Sequence, residues 1–259
     1  MAGELYLGID IGSTASKCVV VDAAGEVRGT GVYPSGAGTK GPQTALDAAL
    51  DVANATMGDV ARSCATGYGR KLMTWADSQV SELSCHAKGA SRLFPGVRTV
   101  IDIGGQDAKV LRLSPEGDLE NFVMNDKCAA GTGRFLDVMA GVFGIGVDEL
   151  SDYDHASHAV ASISSTCTVF AESEVISKLA SGEPVTDIVA GVHESVVDRC
   201  SGLVKRLGIV RPIAMTGGVA LNDALRERLE RRLESPIATS GFAQLNGAYG
   251  AAIFAMEGR

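Results

Sequence analysis

Apolar residues in this chain fall into short runs separated by polar, glycine-bearing turns, and the runs switch between strand and helix spacing in an order that occurs twice. From Leu5 to Val32 they predict three short strands, with Ala23-Ala-Gly25 as the turn between the second and third. Gly36 to Pro42 reads as a glycine-rich loop, and between Thr44 and Ala55 the residues Leu46, Ala49, Leu50 and Ala53 share one face of a helix. A strand over Ala61 to Thr66 leads to Gly67-Tyr-Gly69, and a helix over Ser81 to Leu93 stops at Phe94-Pro95-Gly96, the strongest break in the first half. The order then returns. Strands are expected over Arg98 to Ile103, Ala108 to Leu113 and Leu119 to Met124, with Pro115-Glu-Gly117 as a turn. A helix follows from Arg134 with Phe135, Val138, Met139 and Val142 at helical spacing, another runs to Ala180, and Ile188, Val192, Val196, Leu203 and Leu207 stripe a longer one. Pro212 to Thr216 is a buried strand breaking into Gly217-Gly218, Asn222 to Glu234 a helix, and Ala243 to Met256 an alanine-rich helix.

The repeat is sharpest at two hairpins. Leu7-Gly-Ile-Asp-Ile-Gly-Ser-Thr-Ala-Ser-Lys17 is echoed by Val100-Ile-Asp-Ile-Gly-Gly-Gln-Asp-Ala-Lys109, with Ile, Asp, Ile, Gly and Lys at matching offsets. A glycine-bearing tip lets consecutive N–H groups form an anion-binding concavity, hydroxyls add donors, and an aspartate can hold hydrated magnesium. Asp10, Gly12, Ser13, Thr14, Ala15, Ser16 and Lys17 are therefore candidates for the first phosphate loop, with Lys17 open between a phosphate contact and a solvated strand position. Asp102, Gly104, Gly105 and Gln106 are candidates for the second, Gln106 as the residue that orients an attacking water.

The 259 residues with 46% apolar content suffice for a real core, and two domains are expected. A net charge of −8 argues against a nucleic-acid surface. The N-terminus enters a strand by Leu5 without a basic or long apolar leader, and no apolar run spans a membrane, so a cytoplasmic protein is expected. The six cysteines include no Cys-x-x-Cys pair and read as reduced thiols or ligands.

The two Asp-Ile-Gly hairpins and the Thr216-Gly-Gly218 loop resemble the phosphate and adenosine motifs of the actin, sugar kinase and Hsp70 ATPase superfamily. Within it, Asn125-Asp-Lys-Cys-Ala-Ala-Gly-Thr-Gly-Arg-Phe135 and Ser165-Thr-Cys-Thr-Val-Phe-Ala-Glu-Ser-Glu-Val175 resemble the activators of 2-hydroxyacyl-CoA dehydratases, of the BadF/BadG/BcrA/BcrD ATPase type. The resemblance covers essentially the whole chain. It implies an α/β chain of two ribonuclease-H-like lobes, residues 1–95 joined by a C-terminal helix over 243–259, and residues 96–242, with ATP in the cleft. It also implies a homodimer sharing one 4Fe-4S cluster through Cys128 and Cys167 of each subunit. Two thiolates per chain fit a four-thiolate cluster on a two-fold axis. Both cysteines precede predicted helices, whose N-termini favour thiolates.

ATP or ADP would be held by the two hairpins together with Gly217, Gly218, Val219, Asn222 and Gln244, and by Gly131, Thr132 and Gly133 on the Cys128 loop; Asp10 would hold Mg2+ through water. The implied function is ATP-dependent one-electron donation. Ferredoxin or flavodoxin is the electron source, and the acceptor is a 2-hydroxyacyl-CoA dehydratase, a double-cubane-cluster protein or a benzoyl-CoA-reductase-type enzyme. A small-molecule kinase on the same fold, and a non-catalytic ATP-dependent regulator without iron, are the rivals of other classes.

Other chemistry-bearing residues are assigned no function. Cys18, Cys64, Cys85 and Cys200 lie in apolar patterns and read as structural. Asp152, Asp154, His155 and His158 read as a solvated polar connection, and His86 and His193 sit in helical patterns with no partner evident. Glu172 and Glu174 are open between surface charge and partner contact.

Overall fold

A computed structural model describes residues 4–164 and 167–259. Ser165 and Thr166 of the second cysteine motif lie outside the described residues. The chain forms β1 (Leu5–Ile11), β2 (Ser16–Asp22), β3 (Val27–Tyr33), α1 (Gly41–Ala53), β4 (Val60–Thr66), β5 (Ser78–Gln79) and α2 (Glu82–Leu93). It continues with β6 (Thr99–Ile103), β7 (Ala108–Leu113), β8 (Leu119–Asn125), α3 (Gly133–Phe143), α4 (Leu150–His155), α5 (Thr168–Ala180) and α6 (Val185–Leu207). The last elements are β9 (Ile213–Thr216), α7 (Asp223–Leu233), β10 (Ile237–Ala238) and α8 (Asn246–Met256). Two compact units result: one through Val97 with Leu113–Glu120 and Leu245–Arg259, the other Arg98–Arg112 with Asn121–Gln244. No helix among the described residues is long and apolar enough to cross a membrane.

The two sheets have one topology. In the first the strand order is β3-β2-β1-β4-β5, in the second β8-β7-β6-β9-β10. In each, the opening hairpin is antiparallel and the strand on its other side pairs parallel to the first. This is the ribonuclease-H-like arrangement, present twice.

The first sheet is covered on both faces. Leu7, Ile9, Ile11, Cys18 and Val20 pack on Ala45, Leu46, Ala49 and Leu50 of α1, while Val19 and Val21 face Leu245, Ala248 and Ala252. Burial on both sides is why β1 and β2 read as nearly continuous apolar runs and not as alternating ones. Helix α1 starts at Gly41, inside the stretch expected to be loop, because Pro42 in the first turn has its φ preset and gives up an N–H that would have no helical partner there. The C-terminal helix begins at Asn246, and Ala243–Leu245 form a 3-10 turn ahead of it.

The second unit buries Ile101, Ile103, Val110, Phe135, Leu136, Met139, Val192, Val196 and Leu203 in one core. The solvated reading of residues 152–158 is overturned at Asp154. It lies in the last turn of helix α4, is 5% exposed, and pairs with His193 Nδ1 at 2.5 Å and with Arg228 Nε and Nη2, each at 2.7 Å. His193, left without a partner by sequence reasoning, is completely buried. Its protonation follows from a chain of donors. Asn222 caps α7 by accepting the Leu225 N–H through Oδ1, so its Nδ2 donates to His193 Nε2 at 3.1 Å; Nδ1 then carries the proton and donates to Asp154. Arg228 also reaches Glu194 at 3.1 Å, and Arg232 binds Glu194 and Asp198, so α4, α6 and α7 are tied by one ionic ladder.

Burial acts to raise the Asp154 pKa, but the hydrogen bonds from His193 and Arg228 outweigh it and hold the carboxyl well below the usual carboxylate range. A depressed pKa contributes stability that is complete above the ordinary value of about 3.9 and is lost as pH falls below it. Asp154→Asn is therefore expected to cost about 3 kcal/mol at pH 7 in denaturant unfolding, with the difference from the parent narrowing below about pH 4. A difference that stays constant down to pH 3 would show that the ionised carboxylate is not the source.

Candidate functional site

Each hairpin tip is locked by a cross-strand ion pair that the sequence spacing makes possible. Register places Asp10 opposite Lys17 and Asp102 opposite Lys109, and the side chains meet at 3.2 Å and 3.1 Å. Lys17 is thus neither a solvated strand residue nor a freely extended cation.

In the first unit Asp10 is buried, Gly12 N–H closes the tip on the Ala15 carbonyl at 3.0 Å, and Ser13 stands exposed with Thr14 and Ala15 half-exposed beside it. Ser16, proposed for phosphate, instead donates its hydroxyl to the Ser35 carbonyl at 2.8 Å, pinning the glycine-rich loop against the hairpin. Sequence reasoning missed the residues behind Asp10. A side chain at Gly67 would strike Asp10 Oδ1 at 2.3 Å, and one at Gly247 would meet both His86 Nε2 at 2.9 Å and Asp10 Oδ2 at 3.0 Å. The only local signal was the glycine itself.

In the second unit Asp102 is 1% exposed, accepts the Thr216 hydroxyl at 2.7 Å and shares Lys109 with Asp107, which lies 2.9 Å from the ammonium. Gly104 N–H bonds the Asp107 carbonyl at 2.9 Å to close the tip, and Gln106 is exposed on it. The next two loops converge here. Gly133 N–H donates to the Gly104 carbonyl at 2.8 Å and Arg134 N–H to the Gly105 carbonyl at 2.7 Å, which ties the start of α3 to the tip. Thr132 is buried and turned inward, donating its hydroxyl to the Ala129 carbonyl at 2.6 Å. Gly217 has φ of +88° and room for no side chain, since a Cβ would lie 2.2 Å from the Ile103 carbonyl oxygen; glycine is the residue that tolerates both. Val219 lies against Gly133, Gln244 against Gly218, and Asn222 holds the end of this loop through its cap. A glycine-bearing tip, the start of α3 and the Gly217-Gly218 loop are thus gathered beside a buried carboxylate, and the missing side chains leave backbone open to close approach.

The six cysteines divide sharply. Cys18, Cys64, Cys85 and Cys200 are buried, whereas Cys128 and Cys167 are partly exposed. Cys128 lies on the loop from β8 to α3, held by Asn125 Nδ2 donating to its carbonyl at 3.0 Å; Cys167 is the N-cap residue of α5. Burial pushes the Cys18 thiol far up and the Cys200 thiol up to about 12, which disfavours a thiolate at either. Among the described residues no three His, Cys, Asp or Glu side chains gather as a metal site. The donor set of one chain is two accessible thiols at loop–helix junctions. This suits a sulfur-ligated metal group only when a second chain supplies the remaining ligands. Arg199 Nη2, 3.9 Å from Cys128 Sγ, adds a cation that an anionic thiolate group favours.

Over 252 residues, 97% of this chain and 96% of the relative, the sequence is 52% identical to the (R)-2-hydroxyglutaryl-CoA dehydratase activating ATPase of Acidaminococcus fermentans. The solved structure of the activator of the 2-hydroxyisocaproyl-CoA dehydratase from Clostridium difficile, with bound ADPNP, superposes with a TM-score of 0.96 at 48% identity, covering 98% of this chain and 95% of that one. A ROK family glucokinase from Streptomyces griseus shares the fold alone, with a TM-score of 0.56 at 15% identity, covering 98% of this chain and 99% of that one. The two-lobed architecture is that of actin-like ATPases and sugar kinases. Residues 7–255 match the model of one family, and the chain belongs to it: the BadF/BadG/BcrA/BcrD ATPase family.

Proposed function

We propose that this protein is an ATP-hydrolysing, one-electron donor to a partner enzyme, acting as a homodimer with a 4Fe-4S cluster between its subunits. The observation that carries the reading is the division of the cysteines: two partly exposed thiols at loop–helix junctions of the second unit, four buried. Cys128 and Cys167 of each subunit would hold the cluster, which supplies storage and release of a single electron at low potential.

The chain's own groups do the rest. Backbone N–H groups at the Gly12 and Gly104 tips, with the Ser13 and Thr14 hydroxyls, bind phosphate oxygens; Asp10 holds Mg2+ through water; Gln106 orients the attacking water. Gly217, Gly218, Val219 and Gln244 accept the adenosine. Because Gly133 and Arg134 donate to the carbonyls of Gly104 and Gly105, a shift of the second phosphate tip pulls on the loop that bears Cys128. Nucleotide state and thiol position are mechanically linked.

The acceptor is a 2-hydroxyacyl-CoA dehydratase, by the activities named for the relatives, and the electron source a ferredoxin or flavodoxin. After anaerobic purification, iron and acid-labile sulfide are expected at four each per dimer, with ATP hydrolysis in the absence of any phosphoryl acceptor. Iron-free dimers that phosphorylate a small molecule would overturn the proposal.

A further inference from the structure

We propose that Arg199 is the positioning and charge-compensating partner of Cys128, and that its positive charge raises the reduction potential of the metal group held there. The assignment rests on the cluster reading above and adds to it a residue outside both cysteine motifs.

Arg199 projects from α6, and the two parts of its side chain make two different contacts. Its stem lies over the turn beyond Cys128. Gly131 has φ of +84°, and a Cβ there would come within 2.7 Å of Arg199 Cγ and 3.0 Å of its Cβ. Its guanidinium reaches back to the sulfur, with Nη2 3.9 Å from Cys128 Sγ. The stem therefore packs against the loop, and the charged end lies beside the thiol. The neighbouring charges on α6 are engaged elsewhere: Glu194 with Arg228 and Arg232, and Asp198 with Arg232.

The chemistry follows from charge. Uptake of one electron adds one negative charge to a group already bearing thiolates. A guanidinium at the sulfur favours that reduced form, and net charge and hydrogen bonding at the sulfurs are levers that set such potentials. Loss of the charge should make reduction less favourable, whereas lysine, shorter but still cationic, should preserve most of the effect.

The test compares wild type, Arg199→Gln and Arg199→Lys dimers, purified anaerobically with ADP, by iron content and by an EPR-monitored redox titration. The expected result is a glutamine variant whose reduction is at least tenfold less favourable, a lowering of the midpoint by about 59 mV or more for one electron. The lysine variant should lie close to wild type. Loss of iron from Arg199→Gln with retention in Arg199→Lys also supports the assignment, since the charge is then required to hold the group. A fully loaded glutamine variant with the wild-type midpoint overturns it, as do glutamine and lysine variants that shift alike or lose iron alike. If wild type itself carries no iron, the cluster reading falls and takes this assignment with it; failure of the variants against an iron-loaded wild type removes Arg199 alone.

Discussion

Cys128→Ala and Cys167→Ala dimers are each expected to contain no four-iron cluster, while binding ATP with a dissociation constant within about threefold of the parent. The expectation is all-or-none because of symmetry. One substitution in the gene removes two of four thiolates, and a cluster that needs four cannot be held by two. The nucleotide contacts should survive, since the phosphate tips are closed by their own strands and by Asp–Lys pairs that involve neither cysteine. Cys200→Ala is the control, a fully buried thiol in the core of the second unit whose loss should lower stability by about 1 kcal/mol and leave iron untouched. Iron retained at the parent level in Cys128→Ala would transfer the ligand role elsewhere.

Asp102 carries the second large effect. Its carboxylate is buried between the Lys109 ammonium at 3.1 Å and the Thr216 hydroxyl at 2.7 Å. Asp102→Ala leaves the buried Lys109 with Asp107 alone and the Thr216 hydroxyl without its acceptor, and should cost about 3 kcal/mol, the low end for breaking a buried pair. Asp102→Asn keeps the volume and can still accept from Thr216, so the fold should persist, but ATP hydrolysis is expected to fall about 100-fold as the charge that organises the tip disappears. Pairing Asp102→Asn with Lys109→Met separates the two roles. The double variant should recover stability, because an apolar replacement of a buried ion pair is often neutral, and should not recover hydrolysis. Hydrolysis returning with stability would reduce Asp102 to a structural residue.

How much of this was legible beforehand differs from residue to residue. The two hairpins were, because a hairpin is local: the same spacing that aligned Asp10 with Asp102 and Lys17 with Lys109 in the sequence also sets the strand register that joins each aspartate to its lysine. Sheet order was not, since an apolar run says that a strand is buried and not which strand lies beside it. The same limit hid Asp154 and His193. Helical spacing reported that α6 has a buried face, but their meeting depends on contacts far apart in sequence. Arg199 was hidden for that reason too. The partner of the Ser16 hydroxyl was hidden as well: a hydroxyl in such a tip can bond a neighbouring carbonyl, and the Ser35 loop that supplies it was read separately. The cysteine assignments rested on motif resemblance, and the physical distinction, accessible against sealed, became visible only with burial.

Helix α6 brings His193 to Asn222 at the end of the loop after β9 and Arg199 to the loop that bears Cys128, six residues apart on one unbroken element from Val185 to Leu207. At 1.5 Å per residue the two contacts are separated by about 9 Å of axial rise. Such a helix behaves as a ruler: it can turn or slide, but it cannot be stretched over these fewer than two turns without breaking backbone hydrogen bonds. Displacement at one loop is therefore expected to be felt at the other, and a hinge inserted between residues 193 and 199 should uncouple them.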